Sequence, residues 1–180
     1  MIIEKFNLKA QECIERSCRL AVEKDHGVVT PWHLLAVVLG ASDIGRSYLE
    51  QAVVYLTRLG LAVDSQLIIQ PKAFKNSQHT PINRELERLF ISAEQVSARL
   101  GDKYMGINHL LFAVWELEEL SIALIEAGGS KEAFIKAQEL LPKSGYKSRE
   151  SSGEFEYLAK YARDLTELSR QGGLDPVIGR

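Results

Sequence analysis

The sequence predicts an all-α protein made of two tandem, pseudo-symmetric repeats of four helices each, followed by a linker and one further helix. Three observations support this. Apolar residues recur at three-to-four spacing over long stretches. The word His-Leu-Leu occurs twice, at His33 and His109, 76 positions apart, and apolar/polar alternation never extends beyond a few residues. A pattern that returns at a fixed offset indicates one structural unit used twice.

Composition narrows the function classes. Of 180 residues, 46% are hydrophobic and 26% are charged, a mixture typical of folded globular proteins. A net charge of −2 gives no positive field with which to hold nucleic acid. The chain has neither an apolar run of membrane length nor a secretory leader. We therefore expect a cytoplasmic protein without nucleic-acid or membrane partners.

Local signals set the expected helix bounds. Thr30 has the chemistry of an N-cap and Pro31 that of a first helical residue. In the first repeat the predicted helices cover Phe6 to about Ala21, His33 to about Leu39, Ile44 to Ala52 and Leu56 to Ile69. In the second repeat they cover Ile82 to Leu100, a short helix opened by His109, a helix ending near Ala127, and Lys131 to Leu141.

The composition changes after Leu141, which predicts the domain boundaries. Residues 1–141 are expected to form the double-repeat domain, and residues 142–154, rich in Ser, Gly and Lys, a flexible linker. Residues 155–180 contain one amphipathic helical pattern followed by Gly172-Gly173 and an extended tail. This last segment is expected to lead into a further domain.

The words "TPWHLL", "GDKYMGINHLL" and "LDPVIGR" together resemble the N-terminal region of the Clp/heat-shock-100 family of AAA+ unfoldases. The resemblance covers the whole chain, with residues 1–141 matching the eight-helix N-terminal repeat domain and residues 155–180 the start of the first AAA+ module. The positions of Pro31, His33 and Gly101-Asp102 fit the ClpB type of this family best. The ClpA, ClpC and ClpV types share the same domain.

This resemblance implies the substrate-engaging domain of an ATP-dependent disaggregase, which binds unfolded or aggregated polypeptide and passes it to the AAA+ ring. The chain has no G-x-x-x-x-G-K-[ST] loop, so it is expected to hold no cofactor and to catalyse nothing by itself. ATP and Mg²⁺ belong to the full-length ATPase, a homohexamer with a coiled-coil middle domain. The isolated fragment is expected to be a monomer.

The implied partners also include an adaptor protein or a DnaK-type chaperone system. The alternative is an adaptor-docking domain of a protease-linked unfoldase of the ClpA or ClpC kind, or of a ClpV-like secretion-sheath unfoldase. A middle domain or a protease-docking loop elsewhere in the protein would distinguish these.

The resemblance also carries over candidate site residues. Asn7, Asp102, Tyr104 and Asn108 would border a shallow apolar groove that accepts unfolded polypeptide, and Asp175, Pro176, Val177 and Ile178 would lie beside the adenine in the intact machine. For Asp102 and Asn108, capping of a loop and a helix start is an equal alternative. Two positions depart from the family pattern: Val53 replaces a glycine and Asn108 a glutamate.

The four histidines, His26, His33, His79 and His109, lack the spacing of a metal site. We expect His33 and His109 to be buried and to hydrogen-bond loop carbonyls of their own repeats. Trp32, Phe112 and Trp115 are expected in the core, whereas Tyr104 precedes the second short helix and stays available for a ligand.

The domain boundaries predict a proteolysis pattern. Limited digestion should cut first between Pro142 and Glu154 and leave a protected body, which mass spectrometry of the fragments would identify. First cleavage within Ile82 to Leu100 would contradict the boundaries.

Overall fold

A computed structural model of the chain describes residues 2–41, 43–73 and 80–140. In these ranges there are eight α-helices and no extended strand. They are α1 (Leu8–Glu23), α2 (Pro31–Ala41), α3 (Asp43–Gln51), α4 (Leu56–Ile68), α5 (Arg84–Leu100), α6 (Ile107–Ala113), α7 (Glu118–Glu126) and α8 (Lys131–Leu140). Short 3₁₀ turns occupy Ile2–Lys5 and Val114–Glu116. The all-α prediction with two four-helix repeats is confirmed.

The helix bounds differ from the predicted ones by about two residues at several helix ends, among them the starts of the two long helices. Asn7 and Asn83 stand as N-caps, each accepting a hydrogen bond at its side-chain oxygen, from the N–H of Ala10 and of Leu86 respectively, both at 2.9 Å. Helices α1 and α5 therefore begin at Leu8 and Arg84, two residues later than predicted. The linker and the segment at 155–180 lie outside the described residues, so those boundaries remain predictions.

One apolar core runs through both repeats. Within each repeat the long helix packs on the short apolar helix, α1 on α2 and α5 on α6. Between repeats, Tyr48 of α3 stacks edge-on against Phe134 of α8 with ring centroids 5.5 Å apart and donates a hydrogen bond to the Phe134 carbonyl. Trp115, half-buried, packs on the other side of Phe134 at 5.2 Å. The repeats are thus not separable bodies.

Both repeats end their first and third helices in the same way. In each case a residue with positive φ follows the helix and donates the 5→2 hydrogen bond of a Schellman motif, and the next residue donates the 6→1 hydrogen bond. The second repeat places Gly101 (φ 73°) and Gly128 (φ 92°) at these positions, whereas the first repeat places Asp25 (φ 55°) and Val53 (φ 62°) there. Left-handed backbone is unusual for a β-branched residue. Helix α3 therefore ends at the predicted place without the usual glycine, at a conformational cost.

Replacing Val53 with Gly should raise the free energy of unfolding by about 0.5–1 kcal/mol, because relief of the left-handed strain exceeds the extra chain entropy of glycine. The Val53 side chain is 59% exposed, so little burial is lost. Chemical denaturation monitored by circular dichroism measures the change. The matched control is Gly128→Val, which should destabilise, since a Cβ there would lie 2.8 Å from the Tyr55 ring. Equal effects of the same sign would contradict the argument.

The repeat also predicts that Leu35 and Leu111 are equivalent core positions, and they are 1% and 2% exposed. Truncating either to Ala should cost about 2–5 kcal/mol, the range for a buried leucine whose cavity stays open. Denaturation midpoints at constant slope would measure it. Losses below about 0.5 kcal/mol at both positions would contradict the assignment.

Candidate functional site

Two short backbone bridges join the repeats reciprocally. In the first bridge Val29, in the loop before α2, pairs in parallel with Ile82, which precedes α5. In the second bridge Met105, in the loop before α6, pairs in parallel with Phe6, which precedes α1. Each repeat therefore supplies its loop to the segment that opens the other repeat. Of the four predicted groove residues, Asn7 is next to Phe6 of the second bridge, Asp102 and Tyr104 lie in the loop that carries Met105, and Asn108 lies in the first turn of α6.

Asn7 is part of this bridge and is buried, with 2% of its surface exposed. Its backbone N–H donates to the Met105 carbonyl at 2.9 Å, while its side chain caps α1. The Met105 N–H donates in turn to the Lys5 carbonyl at 2.7 Å. Asn7 thus fixes the direction in which the chain enters α1.

His109 holds the loop of the second bridge from inside. Its Nδ1 accepts the Gly106 N–H at 2.8 Å, and its Nε2 lies 3.0 Å from Oδ2 of Asp102. An accepting Nδ1 leaves the ring proton on Nε2, which donates to the carboxylate. His109 is fully buried and the Asp102 side chain is 12% exposed. Asp102 therefore closes the helix-start network and also has a small surface edge.

The expectation that these histidines donate to loop carbonyls was wrong in its chemistry. The Nδ1 atoms of His33 and His109 instead accept loop N–H groups, from Thr30 at 3.0 Å and from Gly106 at 2.8 Å. Each histidine thereby satisfies an amide that the start of a helix leaves unpaired. Among the described residues no cluster of three or more His, Cys, Asp or Glu could hold a metal ion. His79 lies outside them.

Asn108 is 1% exposed, so it offers almost no surface of its own. Its Nδ2 donates to Oε1 of Gln138 in α8 at 3.2 Å, while its Oδ1 is buried and has no hydrogen-bond partner. A buried acceptor without a donor carries an unfavourable desolvation free energy. Tyr104 is half-buried, and the Lys103 ammonium lies 5.4 Å from the centroid of its ring.

Gln138 also lines an apolar groove that the sequence did not predict. This groove, of about 210 Å³, lies between α5, α6 and α8 and is lined by Val96, Arg99, Leu100, Phe112, Ile135, Gln138 and Glu139. Leu100 and Ile135 are 48% and 43% exposed, and Phe112 is partly buried. We call it the α5–α8 groove. Its apolar walls and open face suit a polypeptide side chain better than a small polar ligand.

A larger cleft of about 340 Å³ lies elsewhere, with Trp32, Leu117 and Leu120 among its lining residues. Three of its carboxylates have a local explanation: Glu85 stands in the first turn of α5, and Glu118 and Glu119 stand in the first turn of α7. Carboxylates at those positions stabilise the helix N-termini. The cleft is therefore a weaker candidate for a binding site than the α5–α8 groove.

The first repeat does not reproduce the polar edge of the second. Seventy-six positions before Asn108 stands Trp32, which is 4% exposed, and in the place of Asp102 stands His26, which is 2% exposed. Asn83 caps α5 as Asn7 caps α1. The polar residues Asp102 and Asn108 are thus specific to the second repeat. Within the described residues no helix has the length and apolar character needed to cross a membrane.

Comparisons with known proteins agree with this architecture. Residues 5–126 match the family model of the Clp repeat (R) N-terminal domain. Over 98% of its length the chain is 32% identical to chaperone protein ClpB 2 of Synechocystis sp. and 32% identical to chaperone protein ClpB of Gloeobacter violaceus, covering 20% of each. The chain thus spans about one fifth of the length of these relatives.

Solved structures show the same fold at low sequence identity. The Hsp104 N-terminal domain of Candida albicans superimposes with a TM-score of 0.71 at 20% identity, covering 81% of this chain and 97% of that one. The N-domain of ClpV from Vibrio cholerae superimposes with a TM-score of 0.67 at 19% identity, covering 82% of this chain and 90% of that one.

Proposed function

Because the chain belongs to the family of Clp repeat N-terminal domains, we propose that it is the substrate-engaging domain of an ATP-dependent disaggregase of the ClpB type. Its task would be to bind unfolded or aggregated polypeptide and to pass it to the AAA+ ring of the full-length protein. The observation that carries the proposal is the open apolar α5–α8 groove beside Asn108.

The chemistry of the groove fits a loosely selective binder. Leu100, Phe112 and Ile135 provide apolar surface, while Gln138 provides a polar edge. The Nε2 group of Gln138, whose Oε1 accepts from Asn108, would donate to a backbone carbonyl of a bound chain, a group common to every peptide. Apolar contact together with backbone hydrogen bonding gives adhesion without strong sequence preference.

Weak binding follows from the size of the groove. A cavity of about 210 Å³ accepts only one or two side chains, and ordering a flexible client opposes association. The expected dissociation constant is micromolar or higher, about −8 kcal/mol at most. Weak binding also suits transfer, since a tightly held client would not leave for the ring.

The remaining parts of the proposal concern the full-length protein. ATP and Mg²⁺ would be held by its AAA+ modules in a homohexamer, and Asp175, Pro176, Val177 and Ile178 would lie beside the nucleotide. These four residues lie outside the described part of the chain. A DnaK-type chaperone or an adaptor protein is the expected collaborator, in the cytoplasm.

A second function is adaptor docking by a protease-linked or ClpV-like unfoldase. The fold similarity to the N-domain of ClpV from Vibrio cholerae and to a ClpV N-domain in complex with a VipB peptide supports this second function. In that case a folded partner or one defined peptide would bind better than any unfolded chain.

Titration of a fluorescent unfolded polypeptide into the domain tests the proposal. Ile135→Ser should weaken binding at least about fivefold, since it removes roughly 1 kcal/mol or more of apolar contact. The matched control is Ile68→Ser, because Ile68 is 79% exposed on α4, away from the groove. Asp102→Ala combined with Tyr104→Ala tests the residues carried over from the family.

All variants should first show wild-type helicity by circular dichroism, since Asp102 also supports His109. Equal affinities for Ile135→Ser and the wild type would remove the groove as the binding site. Preference for one folded partner over every unfolded chain would favour the adaptor-docking function instead.

A further inference from the structure

We propose that the Val29–Ile82 bridge is closed by an acid-sensitive latch formed by Thr30, His33 and His26, whereas the Phe6–Met105 bridge withstands acid. The latch is fully buried: His33 is 0% and His26 2% exposed. This inference concerns the seam between the repeats and is independent of the proposed function.

The hydrogen bonds of the latch define its protonation state. Nδ1 of His33 accepts the Thr30 N–H at 3.0 Å and lies 2.9 Å from the Thr30 hydroxyl, so it carries no proton. The His33 proton is therefore on Nε2, which donates to Nδ1 of His26 at 2.8 Å. Both imidazoles must be neutral, with their protons on Nε2, for this chain of hydrogen bonds to exist.

A further proton would break the chain at either ring. On His33 it would occupy Nδ1 and face the Thr30 N–H, and on His26 it would occupy Nδ1 and face the His33 N–H. The charged groups around the pair are Lys24 and Asp25 in the same loop and Lys72 in the facing connector, whose ammonium donates to the Lys24 carbonyl at 2.8 Å. Two cations against one carboxylate oppose another positive charge.

The pKa shifts agree with this geometry. Burial, then the neighbouring His26, lowers the pKa of His33 to about 4. Burial, then Lys72 and Lys24, lowers the pKa of His26, with Asp25 opposing the shift. Between pH 6.5 and 4 the unfolded chain therefore binds more protons than the folded one. Stability is lost as pH falls through this window, and His33 alone would raise the unfolding equilibrium constant by tens-fold.

The second repeat has a different group at the equivalent place. Nε2 of His109 faces the Asp102 carboxylate rather than another imidazole, at 3.0 Å. A further proton on His109 would also displace the Gly106 N–H from Nδ1, but the resulting positive charge would stand beside the Asp102 carboxylate, whereas the equivalent neighbour of His33 is another imidazole. The two repeats share one architecture, and this exchange of His26 for Asp102 separates their response to acid.

The latch controls a defined set of backbone contacts. In the loop that contains His26, the Gly27 N–H donates to the Pro71 carbonyl at 2.8 Å. The Asp25 carbonyl in the same loop accepts from the Ala73 N–H at 2.7 Å. The bridge itself consists of two hydrogen bonds: the Val29 N–H donates to the Pro81 carbonyl, and the Asn83 N–H donates to the Val29 carbonyl. Opening the latch would loosen these contacts to Pro71, Ala73 and Pro81 and the start of α5, while leaving the second bridge closed.

Nuclear magnetic resonance of the wild-type chain tests the latch directly. Long-range ¹⁵N–¹H spectra should show both His26 and His33 as Nε2–H tautomers at pH 7, with titration midpoints below 6.5. Hydrogen exchange, corrected for intrinsic rates, should show protection at the Val29 and Asn83 amides falling about tenfold or more between pH 7 and pH 5. Under conditions in which exchange occurs by local opening rather than by global unfolding, the matched Met105 and Asn7 amides should change less than about threefold.

Reciprocal variants test the exchange. His26→Asp should suppress the acid-induced loss of stability. Asp102→His should introduce a corresponding acid-induced loss of stability in the second repeat. His33→Gln, whose amide can accept from Thr30 and donate to His26, provides a latch that does not titrate at position 33. An Nδ1–H tautomer for His33, midpoints near 6.5 for both rings, or equal loss of protection at the two bridges would overturn the proposal.

Discussion

The reciprocal pairing of Val29 with Ile82 and of Phe6 with Met105 is the constraint on which the rest of the domain depends. Each bridge fixes the segment that immediately precedes a long helix, so it sets where α5 and α1 begin and how they meet the core. Phe6 then packs edge-on against Phe90 of α5, with ring centroids 5.3 Å apart. The short helices α2 and α6 start directly after the bridging loops, and their histidines hold those loops in place.

Much of this fold could be predicted from the sequence because helices and repeats leave periodic signals. The offset of 76 relates Asn7 to Asn83, Asp25 to Gly101 and Leu35 to Leu111, and the structure treats each pair alike. The crossed bridges could not be predicted in this way. Each involves a single pair of residues far apart in the chain, and one isolated pair leaves no alternation for a pattern to detect.

The candidate site was predictable only in part, for a related reason. Family resemblance identified Asn7, Asp102, Tyr104 and Asn108, and these do lie around one bridge, but Asn7 and Asn108 are buried in structural hydrogen bonds. Leu100, the last residue of α5, and Ile135, in the middle of α8, were not predicted as site residues, and both are partly exposed. In a sequence, an apolar residue in that position does not differ from an ordinary exposed one. Only the tertiary structure brings them to the same groove.

The crossed bridges also bear on how such a domain could have arisen. In a chain carrying a single repeat, the loop before the short helix and the segment before the long helix would both have unpaired backbone groups. Two copies of such a chain could pair these groups across a two-fold axis, with the loop of each copy bonded to the opening segment of the other. Fusing the copies end to end would convert that axis into the pseudo-symmetry seen here. It would also free each half to diverge, as Trp32 and Asn108, or Val53 and Gly128, have done.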